Sequence, residues 1–289
     1  MTDRPETLLD LPLGTPGAGR IRYGAAMALY QQGKLSPAEL EAWRIAAASD
    51  SRPADEVLAA HGLPAPPRQS PDAAATLSRL MEEAGAYLAP LHCPGAAELR
   101  RVLARRSPAA LQPAAQGLPV VTAHLAAALA ALAATHPALS AAIAASAPHL
   151  GWRVYDRYPP EEIGIAFATG HAFCPLLGPD APFAEETAEF GLFLIAPHVL
   201  YRDHCHAAPE LYLPLTGPHG WRFGPDRPLI VKPAHRPVWN DPHRPHLTKV
   251  GPTPFLGFYG WTGDIDEPAR VLPATDWPQL EALRLMAEP

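Results

Sequence analysis

The sequence predicts an α+β protein in which an α-helical region is followed by a β-sandwich or barrel. Before Pro148 the chain is rich in alanine and leucine, and its apolar residues recur at three- and four-residue steps, as in amphipathic helices. After Trp152, short apolar runs alternate with glycine- and proline-bearing turns, which is typical of antiparallel strands. With 48% hydrophobic residues in a chain of 289, a sizeable core can be buried.

Helix start signals and apolar spacing define the helical part. Ser36 provides an N-cap, Pro37 stands at the first helical position and Glu39 completes a capping box, so a helix is predicted to begin there. Residues 63–72 contain four prolines and no apolar periodicity, which indicates a linker. Further helices are predicted over residues 21–32, 54–61, 72–88, 95–105, 119–134 and 137–146.

Five apolar runs in the second half are predicted to be strands. They cover residues 163–168, 190–197, 210–215, 228–233 and 254–261. A helix from Trp277 to Met286 is predicted to close the chain. The predicted parts are a helical amino-terminal extension with a proline-rich linker (1–66), a helical region that packs on the barrel (67–150), and the barrel with its short carboxyl-terminal helix (151–289).

Charge and cysteine content exclude several classes of partner. The formal net charge is −6 and there is no basic excess, so neither a nucleic acid nor an anionic membrane surface is an expected partner. The three cysteines are far apart and odd in number, which argues against a disulfide framework or a thiolate zinc site. The amino terminus is acidic and lacks the features of a signal peptide, so we expect a cytoplasmic protein.

The strongest chemical signal is the stretch LYRDHCHAAPELYLPLTG, residues 200–217. On an extended strand His204 and His206 point the same way, and Glu210 and Tyr212 return to that face if the strand resumes after Pro209. Two imidazoles and a carboxylate form a mixed nitrogen and oxygen site suited to a divalent transition metal. The competing interpretation is a solvent-facing strand that happens to be polar.

The spacing HxHxxxE, followed by six residues and Gly217, resembles the first motif of the cupin superfamily. This resemblance implies a carboxyl-terminal cupin β-barrel, an antiparallel double-stranded β-helix. It also implies a fourth metal ligand from a later histidine, for which His235, His243 and His246 are candidates. One departure is His198, which stands where cupins usually have a glycine.

A narrower resemblance selects one of the three histidines. The segments GLFLIAPHVLYRDHCHAAPELYLPLTG and PHLTKVGPTPFLGFYGWTGD resemble the dimethylsulfoniopropionate (DMSP) lyase family of cupins, in which the later histidine lies eight residues before a strand-opening proline. Counting back from Pro254 gives His246. The implied ligands of one divalent metal ion per chain (Fe, Zn, Mn or Ni) are therefore His204, His206, Glu210 and His246.

The same resemblance implies β-elimination of DMSP to dimethyl sulfide and acrylate, with Tyr212 as the general base. The leaving sulfonium group is cationic, so aromatic walls would hold it by cation–π attraction. The candidates for these walls, each of which could instead be a packing residue, are Tyr201, Trp221, Tyr259 and Trp261.

Two alternatives stay open at this point. The fold and metal could serve other chemistry, such as a non-haem iron dioxygenase or a lyase acting on a different substrate. The chain could also be a non-catalytic cupin that binds a small molecule, with the helical extension as a partner surface. A homodimer is a further expectation.

Overall fold

The computed structural model describes residues 5–9, 11, 15–52, 54–62, 73–108 and 117–286. The chain divides into two compact units, residues 1–70 and 71–289. The predicted linker, 63–72, lies outside the described residues, and the division of the chain at residues 66 and 150 stays a prediction. No described helix combines the length and the apolar character that crossing a bilayer would require.

The first unit contains four helices, α1 (Pro5–Leu8), α2 (Ala18–Gln31), α3 (Pro37–Ala46) and α4 (Ala54–Ala60). The predicted capping box is confirmed: the Glu39 backbone N–H donates to the Ser36 hydroxyl, and the Ser36 N–H donates to the Glu39 carboxylate. Because both orphan donors are satisfied, α3 begins at a fixed residue. A small core of its own includes Leu29 and Trp43.

The second unit begins with helices that cover one face of a sheet. They are α5 (Ala73–Leu88), α6 (Ala96–Ala104), α7 (Pro119–Ala133) and α8 (Pro137–Ser146). Their buried side chains share one hydrophobic cluster with alternate residues of the strands, among them Leu192, Leu194 and Phe258. The side chains on the opposite face of the same strands belong to a second hydrophobic cluster, inside the barrel.

Residues 163–168 are helical, and the predicted strand there is wrong. Two short helices, α9 (Pro160–Ile163) and α10 (Ile165–Thr169), meet at Gly164, which has a left-handed φ of 90°. Ile163 and Phe167, four residues apart, are buried, whereas Ile165 between them is 65% exposed. The burial therefore follows a helical period, which a run of six residues is too short to reveal.

Twelve strands are formed by the described residues. They are β1 (Ser107–Pro108), β2 (His171–Gly178), β3 (Phe183–Ala184), β4 (Ala188–Ile195), β5 (Leu200–Cys205), β6 (Glu210–Pro214), β7 (His219–Arg222), β8 (Ile230–Lys232), β9 (Val238–Asn240), β10 (His246–Lys249), β11 (Phe255–Thr262) and β12 (Arg270–Val271). A last helix, α11 (Trp277–Ala282), follows them.

The strands form two sheets, ordered β1-β3-β2-β4-β11-β6-β9 and β12-β5-β10-β7-β8. All pairs are antiparallel except β2 with β3. Aromatic residues of both sheets, including Phe193, Tyr212 and Trp221, build one cluster between them. The predicted fold class, an α+β protein with an antiparallel cupin-type barrel, is confirmed.

His198, the departure from the cupin glycine, has a φ of 64°. This left-handed backbone normally favours glycine. The Lys249 ammonium group donates a hydrogen bond of 2.6 Å to the His198 carbonyl, which ties this turn to β10. The chain thus keeps a left-handed turn immediately before β5 with a histidine in place of glycine.

A buried ion pair lies in the sheet that contains β5. The Arg222 guanidinium on β7 pairs with the Asp203 carboxylate on β5, and both side chains are almost completely buried. Trp277 of α11 donates its indole N–H to Asp203 at 2.8 Å. The carboxyl-terminal helix is therefore hydrogen-bonded to the strand that leads into the HxH pair.

Trp277→Phe is expected to lower the free energy of unfolding by about 1–3 kcal/mol, because a hydrogen bond to a buried carboxylate is lost. Urea denaturation measures the effect. The matched control is Trp239→Phe, which removes an indole donor from Asp241, whose side chain is 66% exposed. Equal losses in the two variants would contradict a special contribution from the buried Asp203.

Candidate metal centre

Three of the predicted ligands, His204, His206 and His246, converge inside the barrel. His204 lies on β5, His206 follows its end, and His246 opens β10, which pairs with β5 so that His246 is opposite His204. One ring nitrogen from each histidine lies within 4.8 Å of the other two. All three side chains are buried.

The ring nitrogens of these histidines are arranged for metal binding. Each Nδ1 is 2.8 Å from a backbone carbonyl oxygen, that of Arg202, Ala208 or Arg244 respectively. A carbonyl can only accept, so each Nδ1 carries a hydrogen and each Nε2 points inward, where it is available to a metal ion once it holds no proton. The Nε2 atoms of His204 and His246 are buried and have no hydrogen-bond partner among the described residues.

Glu210 on β6 approaches this cluster from the opposite sheet. Its Oε2 lies 3.3 Å from the Nε2 of His206 and 3.3 Å from the Nε2 of His246. The Asn240 side-chain N–H donates to Oε2 at 2.9 Å, and the Trp261 indole N–H donates to Oε1 at 2.7 Å. The carboxylate is thus oriented by donors on both of its oxygens.

The electrostatics of the cluster fit a divalent ion. Burial lowers the pKa of His204, and the His246 and His206 imidazoles lower it further, so this ring is neutral. Burial raises the pKa of Glu210, but the two neighbouring imidazoles outweigh it and hold the pKa well below its usual range. Burial lowers the pKa of His206, yet the Glu210 carboxylate raises it more, so an ion would compete with the proton that this pair shares.

The other two candidate histidines lie elsewhere. His235 has both ring nitrogens engaged, with the Tyr87 hydroxyl at 3.0 Å and the Thr135 hydroxyl at 3.0 Å. His243 is exposed and occupies a turn with a φ of 59°. Its backbone N–H, rather than its ring, contacts the site by donating to the His206 carbonyl at 2.7 Å.

A cavity of about 370 Å³ opens on this cluster. Glu210 is the candidate ligand that lines it, together with Tyr212 and Trp261. Burial, followed by the Glu210 carboxylate, raises the pKa of Tyr212 well above its ordinary value. Its phenolate therefore requires a positive charge nearby, such as a metal ion would bring.

Three of the four predicted aromatic walls line the cavity. The Tyr201 ring stacks on His204 with centroids 3.8 Å apart, and the Trp261 ring lies 4.6 Å from that of His206. Tyr259 also lines the cavity and donates its hydroxyl to Glu189 at 2.6 Å. Trp221 is absent from the lining and packs 5.6 Å from Tyr212 inside the aromatic cluster.

Sequence reasoning missed three residues of the site, Asn240, Tyr158 and Glu189. Asn240 reaches Glu210 because β9 pairs with β6 and places the two residues opposite each other. Tyr158 lines the cavity, and its hydroxyl lies 2.8 Å from that of Tyr201. The one available signal was Asn240 directly after the apolar pair Val238 and Trp239, because asparagine is a residue that strands usually avoid.

Asn240→Ala is expected to weaken metal affinity about 10- to 100-fold, because it removes one of the two donors that orient Glu210. Competition with a chelator of known affinity measures this. Asp241→Ala is the control, since Asp241 is the next residue, is exposed, and hydrogen-bonds Trp239 rather than Glu210. Unchanged metal affinity in Asn240→Ala would show that the hydrogen bond from Trp261 is sufficient to orient Glu210.

Sequence comparisons place this chain among known proteins. The model of the dimethylsulfoniopropionate lyase family matches residues 95–257, more than half of the chain. The chain is 32% identical over 127 residues to the putative lyase DddL of Cereibacter sphaeroides, covering 43% of this chain and 51% of that protein. It is 26% identical over 115 residues to the lyase DddQ of Ruegeria pomeroyi, covering 40% and 56% respectively. The matches span about half the length of these curated relatives.

Two solved structures share the fold. A crystal structure from a study of the DMSP lyases RdDddP and RnDddQII has a TM-score of 0.59 at 22% identity, covering 70% of this chain and all of that one. The crystal structure of DddQ from Ruegeria pomeroyi has a TM-score of 0.54 at 20% identity, covering 68% and 96%. At these identities the structural likeness establishes the fold.

Proposed function

Because the chain belongs to the dimethylsulfoniopropionate lyase family of cupins, we propose that it cleaves DMSP to dimethyl sulfide and acrylate by metal-dependent β-elimination. The family predicted from the sequence is confirmed by the match over residues 95–257. One observation of the site carries the proposal: Tyr212 and Glu210 line the same cavity, and Glu210 contacts two of the three clustered imidazoles, those of His206 and His246.

His204, His206, Glu210 and His246 would hold the ion. When bound, a divalent ion acts as a Lewis acid that draws negative charge from the substrate carboxylate. Two observations support binding of an ion by these residues. The Nε2 atoms of His204 and His246 have no hydrogen-bond partner among the described residues, and backbone carbonyls fix the orientation of all three rings. The donor set of three imidazoles and a carboxylate suits Fe, Zn, Mn or Ni.

Tyr212 would act as the general base. Its phenolate oxygen takes the α-proton, and the electrons of that C–H bond form the double bond between the α- and β-carbons. The bond from the β-carbon to sulfur breaks, and its electron pair stays on sulfur. The products are neutral dimethyl sulfide, acrylate and the protonated Tyr212 hydroxyl, so charge and atoms balance.

Tyr201 and Trp261 would confine the substrate near the ligands. Both rings lie against imidazoles of the cluster and both line the cavity. The hydrogen bond from Trp261 to Glu210 adds a second contribution, because it fixes the carboxylate that the substrate must approach. Tyr201 and Tyr158 are buried, and their hydroxyls lie 2.8 Å apart on the cavity wall.

The test is release of dimethyl sulfide. The purified full chain is loaded separately with Fe(II), Mn(II), Ni(II) and Zn(II), mixed with DMSP, and the headspace gas is measured beside His206→Ala. The wild type is expected to release dimethyl sulfide with at least one ion, and His206→Ala is not. Protein that carries one ion per chain and releases none would refute the substrate, and oxygen consumption would then test the dioxygenase alternative.

Two broader expectations accompany the proposal. Cys93, Cys174 and Cys205 are free thiols, which supports the reducing, cytoplasmic compartment that we propose for the protein. The homodimer stays a prediction that sedimentation of the full chain would test.

A further inference from the structure

Two carboxylates flank one tryptophan on the inner face of the larger sheet. Strand β11 pairs with β4 so that Trp261 is opposite Glu189, and pairs with β6 so that Trp261 is opposite Glu210. Residues directly opposite each other project from the same face of a sheet. Since neighbouring strands lie about 4.8 Å apart, the backbones of Glu189 and Glu210 are separated by roughly 10 Å.

Both carboxylates line the cavity, but their surroundings differ. Glu210 faces the imidazole cluster, as described above. The Glu189 Oε1 accepts the Tyr259 hydroxyl at 2.6 Å, and the Tyr259 ring lies 6.3 Å from that of Phe173. The cavity is thus lined by two carboxylates, one beside the imidazole cluster and one hydrogen-bonded to Tyr259.

Glu189 is a partly buried carboxylate that is not in direct contact with a cation of the described residues. None of the ion pairs among the described residues includes it. Arg153, which lines the same cavity, donates to the Asp180 carbonyl at 3.0 Å and lies over the Phe173 ring. Burial raises the pKa of Glu189 and outweighs the lowering by the Tyr259 hydroxyl and, to a smaller extent, by the Arg153 guanidinium. A partly buried carboxylate that lacks a direct ion pair is destabilised, so Glu189 favours a ligand that brings positive charge.

We propose that Glu189, together with the Tyr259 and Phe173 rings, forms a subsite for the trialkyl-onium group of the substrate. The inference rests on the proposed function for the opposite end of the ligand, where the substrate carboxylate would meet the metal centre. An onium group has no N–H or O–H donor, so it binds through aromatic faces and a nearby negative charge rather than through hydrogen bonds.

Binding of two ligands of equal shape tests this. The ligands are 3-(trimethylammonio)propionate and 4,4-dimethylpentanoate, in which a carbon atom replaces the charged nitrogen. With metal-loaded full-length protein, calorimetry is expected to show about tenfold tighter binding of the cationic ligand to the wild type. In Glu189→Gln the preference should fall to near unity, while affinity for the neutral-ended ligand changes little.

The control is Asp180→Asn, which removes the same charge from an exposed residue of the cavity lining. It should keep the preference, because a solvated charge is screened. Glu189→Asp, which retracts the carboxylate, should give an intermediate preference and serves if the glutamine variant does not fold. A preference that survives in both Glu189 variants overturns the subsite.

Measurement of dimethyl sulfide release on the same proteins separates the two proposals. Charge preference that depends on Glu189, without any dimethyl sulfide, would refute the lyase and keep the subsite. Dimethyl sulfide release with the same KM and kcat in Glu189→Gln as in the wild type would refute the subsite and keep the lyase.

Discussion

Tyr212→Phe is expected to lower the rate of dimethyl sulfide release about 10²- to 10⁴-fold, the usual contribution of a positioned general base. The change removes only the hydroxyl group from a buried ring that lines the cavity. Tyr212 lies two residues after Glu210 on β6. Because the ring remains, its packing against Phe193 and Trp221 should be kept. Metal content and thermal stability are therefore expected to stay close to those of the wild type.

The matched control for Tyr212→Phe is Tyr155→Phe. Tyr155 also lines the cavity, but its hydroxyl accepts a hydrogen bond from the Ala269 backbone N–H at 3.0 Å and so has a structural partner. We expect this variant to retain most of the activity. A Tyr212→Phe protein that is fully active with one metal ion per chain would mean that another group removes the α-proton.

His246→Ala is expected to abolish dimethyl sulfide release and to weaken metal affinity by more than about 100-fold. Loss of a partner that only orients a ligand already costs about 10- to 100-fold, so loss of a ligand itself should cost more. The Nε2 of His246 is buried within the cluster and has no hydrogen-bond partner among the described residues. Metal content by elemental analysis, after dialysis against a weak chelator, measures the loss.

His243→Asn is the control for this experiment, since His243 lies three residues earlier and was an equal candidate by the cupin motif alone. Asparagine tolerates the left-handed backbone at this position, where φ is 59°. The backbone N–H that donates to the His206 carbonyl is unchanged by the substitution. If His243→Asn lost the metal and His246→Ala kept it, the choice of His246 would be wrong.

The part of the site that local spacing determines was predictable. His204, His206, Glu210 and Tyr212 lie within nine residues, and the two-residue period of a strand directs each pair to one side of the chain. The sequence prediction returned all four to a single strand face, whereas β5 and β6 belong to opposite sheets, so Glu210 faces the histidines across the barrel. His246 lies much later in the chain and joins them only through the pairing of β10 with β5. Alternation along a single strand does not reveal that pairing, so a family resemblance was needed to select this histidine.

The sequence predictions are wrong or incomplete where strand register or burial determines which residues enter the site. Asn240 and Glu189 enter the site through the pairing of β9 with β6 and of β4 with β11, and neither has a sequence motif. Trp221 and Trp261 are equally apolar in the sequence, yet only Trp261 lines the cavity, since each residue's strand position determines whether it faces the cavity or the packed cluster. At 163–168, Gly164 permits a turn between two short helices, which composition alone does not indicate.

The three carbonyl oxygens that hold the histidine rings belong to the protein backbone, so the rings keep their orientation through the fold itself. A zinc finger, by contrast, requires its ion in order to fold. We therefore expect the purified chain to survive chelation as a folded apoprotein and to accept ions reversibly. The ion that it carries in a cell would then reflect the cell's metal supply and the order of affinities among divalent metals, rather than the conditions under which the chain folded.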